Sequence, residues 1–456
     1  MKKTSILALV LAFTAILPAC GNTSATEPGG TDTTVNLIDK YTEPPKVEDI
    51  ELPEGFVIPE GYTYETSYSY FPNGDNSRGI YNVTAEGEMD IYGDKMFYTT
   101  GAVQCYIDAK TGQSFALCPD PLCDHSEESG CPYRGFGQLK HHPEKDNIMF
   151  AVQAYNVEKR AHYNICVIDE TNGTITKVYG TDVKGSEVED AIYFQFISGD
   201  KIYFTGRFFE TETDKSGNVV SKIVDRVYTL DMNTYEVKKL DNEYSEGEFG
   251  LCLTASKNHI LFCDFALGKI YVTDINFNNQ QLIVEYDPET FFMGEYCYDS
   301  ITDEIYFSVA SNSLRGRSDE GLEEGYIYCL DSDLNCKRLD FCDTIVNFAL
   351  TRNYIYFTKY DPIVLGKTIN DRNCVVVNGG KFYRITRDGM GEEELVFDGG
   401  VGIYHFIHHP FAVMGDYIYY PYTYLHDLFG YPSFHFSGRT VRIGITDKTV
   451  KSLSFN

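Results

Sequence analysis

The chain has 456 residues, with 67 acidic against 38 basic side chains, a net charge of −29, 13 cysteines and no tryptophan. A surface this negative repels phosphate backbones and argues against nucleic acid as a partner, although solubility accounts for the charge equally well. No stretch beyond residue 20 is long and apolar enough to cross a membrane as a helix.

The chain opens with Lys2 and Lys3, an apolar run from Ile6 to Leu17, and Leu17-Pro18-Ala19-Cys20. The apolar run is too short for a settled span and reads as a secretion signal over 1–20. Its last four residues resemble a bacterial lipobox. The resemblance implies cleavage before Cys20, a diacylglycerol on its sulfur, and an extracytoplasmic protein whose partner is the membrane through this lipid anchor. Residues 21–60 are rich in Thr, Pro, Glu and Gly, too poor in apolar groups to fold, and read as a tether. The remainder, 61–456, reads as one folded unit. Twelve cysteines remain beyond Cys20; an oxidising compartment favours disulfides, and buried free thiols fit their scatter through strand-like runs equally well.

Within 61–456 one pattern recurs, a polar turn and then a short apolar and aromatic run: GDKMFYT at Gly93, EKDNIMFA at Glu144, SGDKIYFT at Ser198, SKNHILFC at Ser256, ITDEIYFS at Ile301, TRNYIYFT at Thr351 and MGDYIYYP at Met414. After each copy comes a strand, a turn beginning at an Asp, and another strand, the signature of a hairpin. These Asp residues are 108, 169, 231, 274, 331, 388 and 447. An Asp at a hairpin start bonds its own backbone two residues on, which explains all of them without calcium. A further strand-like piece precedes each copy, and helical periodicity is absent. Four-stranded sheets repeated in this way bury their faces only by stacking on one another. The expected fold is therefore all-β, a seven-bladed β-propeller of four-stranded antiparallel sheets, or six blades if the Gly87–Leu117 unit is incomplete.

The hairpin GGKFYRITRDGMGEEEL at Gly379 resembles the repeat of TolB-like and low-density-lipoprotein-receptor-type propellers, in which an aromatic run leads to an Asp-Gly turn. Other units keep the Asp but mostly lack the Gly. As a whole the chain resembles bacterial lipoproteins of uncharacterised function with such propellers, which implies a fold and a location rather than an activity.

Between two strand units lies LCPDPLCDHSEESGCPY, from Leu117 to Tyr133. Cys118, Cys123, His125 and Cys131 offer three thiolates and an imidazole, a set that suits tetrahedral zinc and fills all four positions, so such a zinc would be structural. A disulfide clip between two of the three cysteines is the other open reading. No other cofactor is expected.

In a propeller, the link between blades and the loop between the second and third strands of each blade share one face. Long loops of the second kind are expected at 206–221, 310–325, 360–380 and 422–438, so the ligand-binding face is placed there. Candidate ligand-binding residues are Tyr422, Tyr424, His426, Tyr431 and His435, an aromatic and histidine set, with Arg439, Arg315 and Arg317. Two His-His-Pro triplets, at His141 and His408, are most simply packing or repeat ancestry. There is no G-x-S-x-G nucleophile, and the absence of tryptophan disfavours quinoprotein and sialidase-like repeats. The favoured function is an anchored surface propeller binding an extracellular glycan, peptide or protein. The alternative is an extracellular hydrolase or lyase acting on polysaccharide, for which no catalytic residue stands out.

Overall fold

The structure is a computed structural model and describes residues 80–453, apart from connecting segments of which 312–323 and 399–410 are the longest. The predicted signal, Cys20 and the tether lie outside the described residues, and residues 421–441 are described by their backbone pairing alone.

Every copy of the aromatic repeat forms the second strand of a sheet: Lys95–Thr100, Lys145–Val157, Lys201–Thr213, His259–Asp264, Glu304–Ser311, Tyr354–Lys359 and Tyr417–Leu428. Every Asp turn joins a third strand to a fourth, as in Arg160–Asp169 with Thr174–Gly180 or Lys269–Asp274 with Gln281–Glu285. The first strands are Glu88–Tyr92, Phe136–His142, Ala191–Ser198, Leu251–Ala255, Phe291–Asp299, Ile345–Leu350 and Ala412–Met414. All pair in sequence order, and no helix occurs among the described residues. The 87–117 unit is complete, with Val103–Asp108 and Ser114–Ala116 as its third and fourth strands, so the described residues form seven blade sheets. Ile80–Tyr81 adds to the free edge of Glu88–Tyr92.

Alternation along each strand decides how the sheets stack, because successive side chains point to opposite faces. In the third sheet Ile202 and Phe204 join Phe150, Val152, Ile165 and Val167 of the second, while Tyr203 joins Ala255 and Ile260 of the fourth. In the fifth, Ile305 and Phe307 join Leu261 and Val272 of the fourth, whereas Tyr306 joins Ile355 and Phe357 of the sixth. Ile418 and Tyr420 of the seventh join Tyr356 and Phe382 of the sixth. Each core is thus shared by two neighbours. First strands run beside one another from the first sheet through the sixth, and fully buried Tyr419 of the seventh lies within electrostatic reach of Asp108 of the first. Sheets with shared cores arranged around their first strands are the blades of a seven-bladed β-propeller. Each blade is one continuous stretch, so no strand is exchanged between blades 7 and 1 among the described residues.

The turn aspartates behave as their chemistry requires. Oδ1 of Asp169, Asp231, Asp274, Asp331, Asp388 and Asp447 accepts the backbone N–H of the residue two positions on, at 2.9–3.0 Å. Hydrogen-bond donors hold five of these carboxylates below the usual range: chiefly the Asn147 amide for Asp169, the Thr234 N–H for Asp231, the Asn278 N–H for Asp274, the Asn335 amide for Asp331 and the Met390 N–H for Asp388. A depressed folded pKa gives stability that is fully present above the unfolded value, about 3.9, and is lost as pH falls through the folded value. The thermal midpoint is therefore expected to decline steeply below about pH 4. An Asp274→Asn/Asp331→Asn chain should show a shallower acid limb, and an unchanged limb would contradict the assignment.

Two of the expected loops are strands. Residues 206–213 and 219–221 belong to the paired strands Lys201–Thr213 and Val219–Asp231, and 422–428 and 431–438 to Tyr417–Leu428 and Tyr431–Gly444. Residues 360–380 contain a ribbon, Ile363–Lys367 with Asn373–Val376, lying near the Tyr431–Gly444 strand. Pro421 and Pro432 suggest a loop, yet both sit in this protruding hairpin, opposite Thr440 and Asp427. A two-stranded ribbon has free edges, where a residue lacking an N–H is tolerated.

Candidate metal centre and the hairpin face

The link from Ser114–Ala116 of blade 1 to Phe136–His142 of blade 2 carries the cysteine motif. Leu117 starts it, buried and donating its N–H to Gln104 O at 2.9 Å. Asp120 then folds the chain back, accepting Leu122 N–H on Oδ1 (2.9 Å) and Cys123 N–H on its carbonyl (3.2 Å). His125 takes a left-handed φ of 56°, and Gly130 a φ of 60°. At the far end Arg134 N–H closes a turn on Cys131 O. Gly135, with φ 78°, lies so close to blade 2 that a Cβ would fall 2.4 Å from Ala154 O, a position only glycine fills.

These turns bring the thiols of Cys118, Cys123 and Cys131 and a ring nitrogen of His125 within 4.8 Å of one another. Cys131 is buried and its Sγ lies 3.5 Å from His125 Nδ1; the other three residues are half-buried. The three cysteines are free thiols, with no S–S bond. Burial pushes the Cys131 thiol up to about 12, whereas the backbone N–H of His125 lowers Cys123. The Tyr133 N–H acts on Cys131 in the same sense, against its burial. Backbone N–H groups turned toward sulfur favour thiolate ligands. Zinc bonds to sulfur are about 2.3 Å, which places tetrahedral ligand atoms a little under 4 Å apart. The cluster reaches that spacing by contracting less than about 1 Å. The four residues could therefore hold a metal ion, and they sit on the core shared by Phe97, Leu117, Tyr133, Phe136, Leu139 and Met149.

The His141-His142 pair is structural. Its two rings point to opposite blades, His141 against Phe97 of blade 1 (4.8 Å) and His142 Nε2 to Asn233 Oδ1 of blade 3 (3.2 Å). Burial, reinforced by Lys95 and Lys140, holds His141 at about 3, so it is neutral. The unfolded imidazole takes a proton near pH 6.5. The folded one does so only near 3, so stability is lost as pH falls between these values. A His141→Leu chain should show a flatter thermal midpoint between about pH 6.5 and 4, and a slope equal to the parent's would refute this.

Among the other candidates, the ladder sets Tyr422 opposite Arg439, Tyr424 opposite His435, and Tyr431 opposite Leu428 two residues beyond His426. All six thus belong to the blade 7 hairpin. Arg315, Arg317 and the His408 triplet lie outside the described residues.

Two polar sets on the same face were not foreseen. Arg207 clamps Asp225 through Nε and Nη2 (2.8 and 3.0 Å), with its guanidinium 5.6 Å from the ring of Tyr193. At the next junction Asp182 accepts from Tyr155, from Lys177 (2.5 Å), from Asn164 (3.1 Å) and, at 2.9 Å, from His162 Nδ1. A carboxylate held by four donors acts as a brace for the blade 2–blade 3 link rather than as an acid–base group. Both sets depend on register: Arg207 faces Asp225 and Tyr155 faces His162 across their ladders, pairings that local sequence does not encode.

No family model matches the chain, and no curated protein does. Among solved structures it is similar to the β-propeller domain of the Trilobed protease from Pyrococcus furiosus, at 14% identity over 83% of this chain and 97% of that one, with a TM-score of 0.42. It is also similar to a prolyl endopeptidase (13% identity, 85% of this chain, TM-score 0.42), of which it spans half the length. TolB from Acinetobacter baumannii is 14% identical over 71% of this chain and 63% of that one, with a TM-score of 0.32.

Proposed function

We propose that the chain is a propeller tethered outside the membrane by a lipid on Cys20, and that it binds an extracellular glycan, peptide or protein on its hairpin-bearing face. The observation that carries this reading is the length of the second and third strands. In blade 4 they have six residues each, enough to cover a neighbour, whereas in blade 3 they have thirteen. At about 3.3 Å per residue the excess extends about 20 Å beyond the stacked sheets. Blade 7 has the same design, with strands of 12 and 14 residues. The blade 3 hairpin exposes Phe209 and Val219, apolar groups that suit a contact surface.

The test is to probe the full chain in detergent on glycan and peptide arrays beside a variant in which residues 209–222 are replaced by a two-residue turn. Binding that is lost while the thermal midpoint is kept supports the reading. Equal binding by both chains, or silence on every array, counts against it.

For the cysteine motif, we infer one structural zinc held by Sγ of Cys118, Cys123 and Cys131 and by Nδ1 of His125. Three soft sulfurs and an imidazole in a closed set favour zinc over hard cations and leave no position for a substrate.

A further inference from the structure

The cysteine link is fastened to the two blades by separate sets of bonds. Its start belongs to blade 1, through Leu117 N–H to Gln104 O. From Cys131 onward it belongs to blade 2: Gln153 Nε2 donates to the carbonyls of Pro132 and Arg134 (3.3 and 3.0 Å), Tyr133 O–H to Gly173 O (3.5 Å), and Ala154 N–H to Gly135 O (2.7 Å). Between these anchors the described backbone bonds are local turns. The Cys118–Cys123 half meets Cys131 at the ligand cluster, above the apolar core that Phe97 and Leu117 share with blade 2, and Cys123 Sγ also lies 3.9 Å from Ser129 Oγ.

Among the described residues, blade 1 also meets blade 2 through Phe97, which packs in that core and against the His141 ring at 4.8 Å. Its outer strand is three residues long, and its seam with blade 7 has no exchanged strand among the described residues. An ion pair to blade 2, Lys95 with Glu170 at 3.4 Å, is partly open to solvent on both sides and so contributes little.

Resting on the zinc reading above, we propose that the metal is a clasp: it keeps blade 1 docked on blade 2, and its removal frees blade 1 at the blade 7–blade 1 seam while the later blades stay folded. Metal occupancy then controls whether the ring is closed.

The test is hydrogen exchange on the full chain as purified with zinc, after stripping with 1,10-phenanthroline, and after adding zinc chloride back. Metal removal is expected to speed exchange of Lys95–Thr100 and Val103–Asp108 by about tenfold or more, reversibly, with Lys201–Asp231 and Glu304–Leu330 unchanged. Unchanged exchange in blade 1, with the metal shown to be gone, overturns the clasp and leaves the zinc reading standing. A loss of protection spread over all blades overturns it as well, since the metal then supports the whole fold. A chain that holds no zinc and takes none up overturns the zinc reading, and the clasp with it.

Discussion

A Cys131→Ser chain is expected to contain no stoichiometric zinc, where the parent contains one. Cys131 is the only buried member of the set, packed on Phe136, Leu139 and Met149, and its sulfur lies nearest the His125 nitrogen. A serine hydroxyl does not ionise at neutral pH and cannot replace the thiolate. The loss in affinity should exceed the roughly 10–100-fold that removing an outer-sphere partner of a metal ligand produces. Because structural zinc contributes directly to folding free energy, the thermal midpoint should fall too. Cys166→Ser is the control: that thiol is equally buried in the same core but outside the ligand set, so the variant should lose stability and keep its zinc. Elemental analysis with thiol counting on both variants checks the pair. Zinc retained by Cys131→Ser, or lost equally by Cys166→Ser, would refute the ligand assignment.

The architecture was legible because its signals are local. An aromatic run with period two, buried on both sides, can only be a strand inside a stack, and an Asp that bonds its own backbone two residues on marks the turn at each blade's outer edge. The ligand set was legible for the same reason, since 14 residues of link contain all four members. What depends on register was not. His141 and His142 look like one motif but serve opposite blades, because adjacent side chains in a strand diverge. Arg207 and Asp225 are 18 positions apart and meet only once the blade 3 ladder is fixed. The hairpins of blades 3 and 7 read as loops because they carry polar residues and proline. Those residues are compatible with a ribbon that stands away from the stack and owes its shape to pairing rather than to burial.

Arg387→Ala is expected to destabilise the fold by about 3–5 kcal/mol, the cost of taking one partner from a buried ion pair. Arg387 lies in the outer turn of blade 6 and reaches into blade 5. There it meets Asp299, whose side chain is fully buried, Glu304 and Thr302 Oγ1 (both 2.9 Å), and the Tyr306 hydroxyl (3.2 Å). Removing the guanidinium strands the Asp299 carboxylate in a place that water does not reach, with Thr302 as a remaining donor. Arg387→Lys keeps the charge but not the planar fork, which reaches the Tyr306 hydroxyl through Nε while Nη2 serves both carboxylates, so it should fall between the parent and the alanine variant. Adding Asp299→Asn to Arg387→Ala removes the stranded charge and should recover part of the loss, a coupling that a purely steric role for Arg387 would not produce. Urea unfolding of the four chains measures this, read as shifts of the midpoint at constant slope. A change within about 0.5 kcal/mol for Arg387→Ala would place it among ordinary surface substitutions and show that the contact between blades 5 and 6 is carried by the apolar core of Tyr306, Ile355 and Phe357 alone.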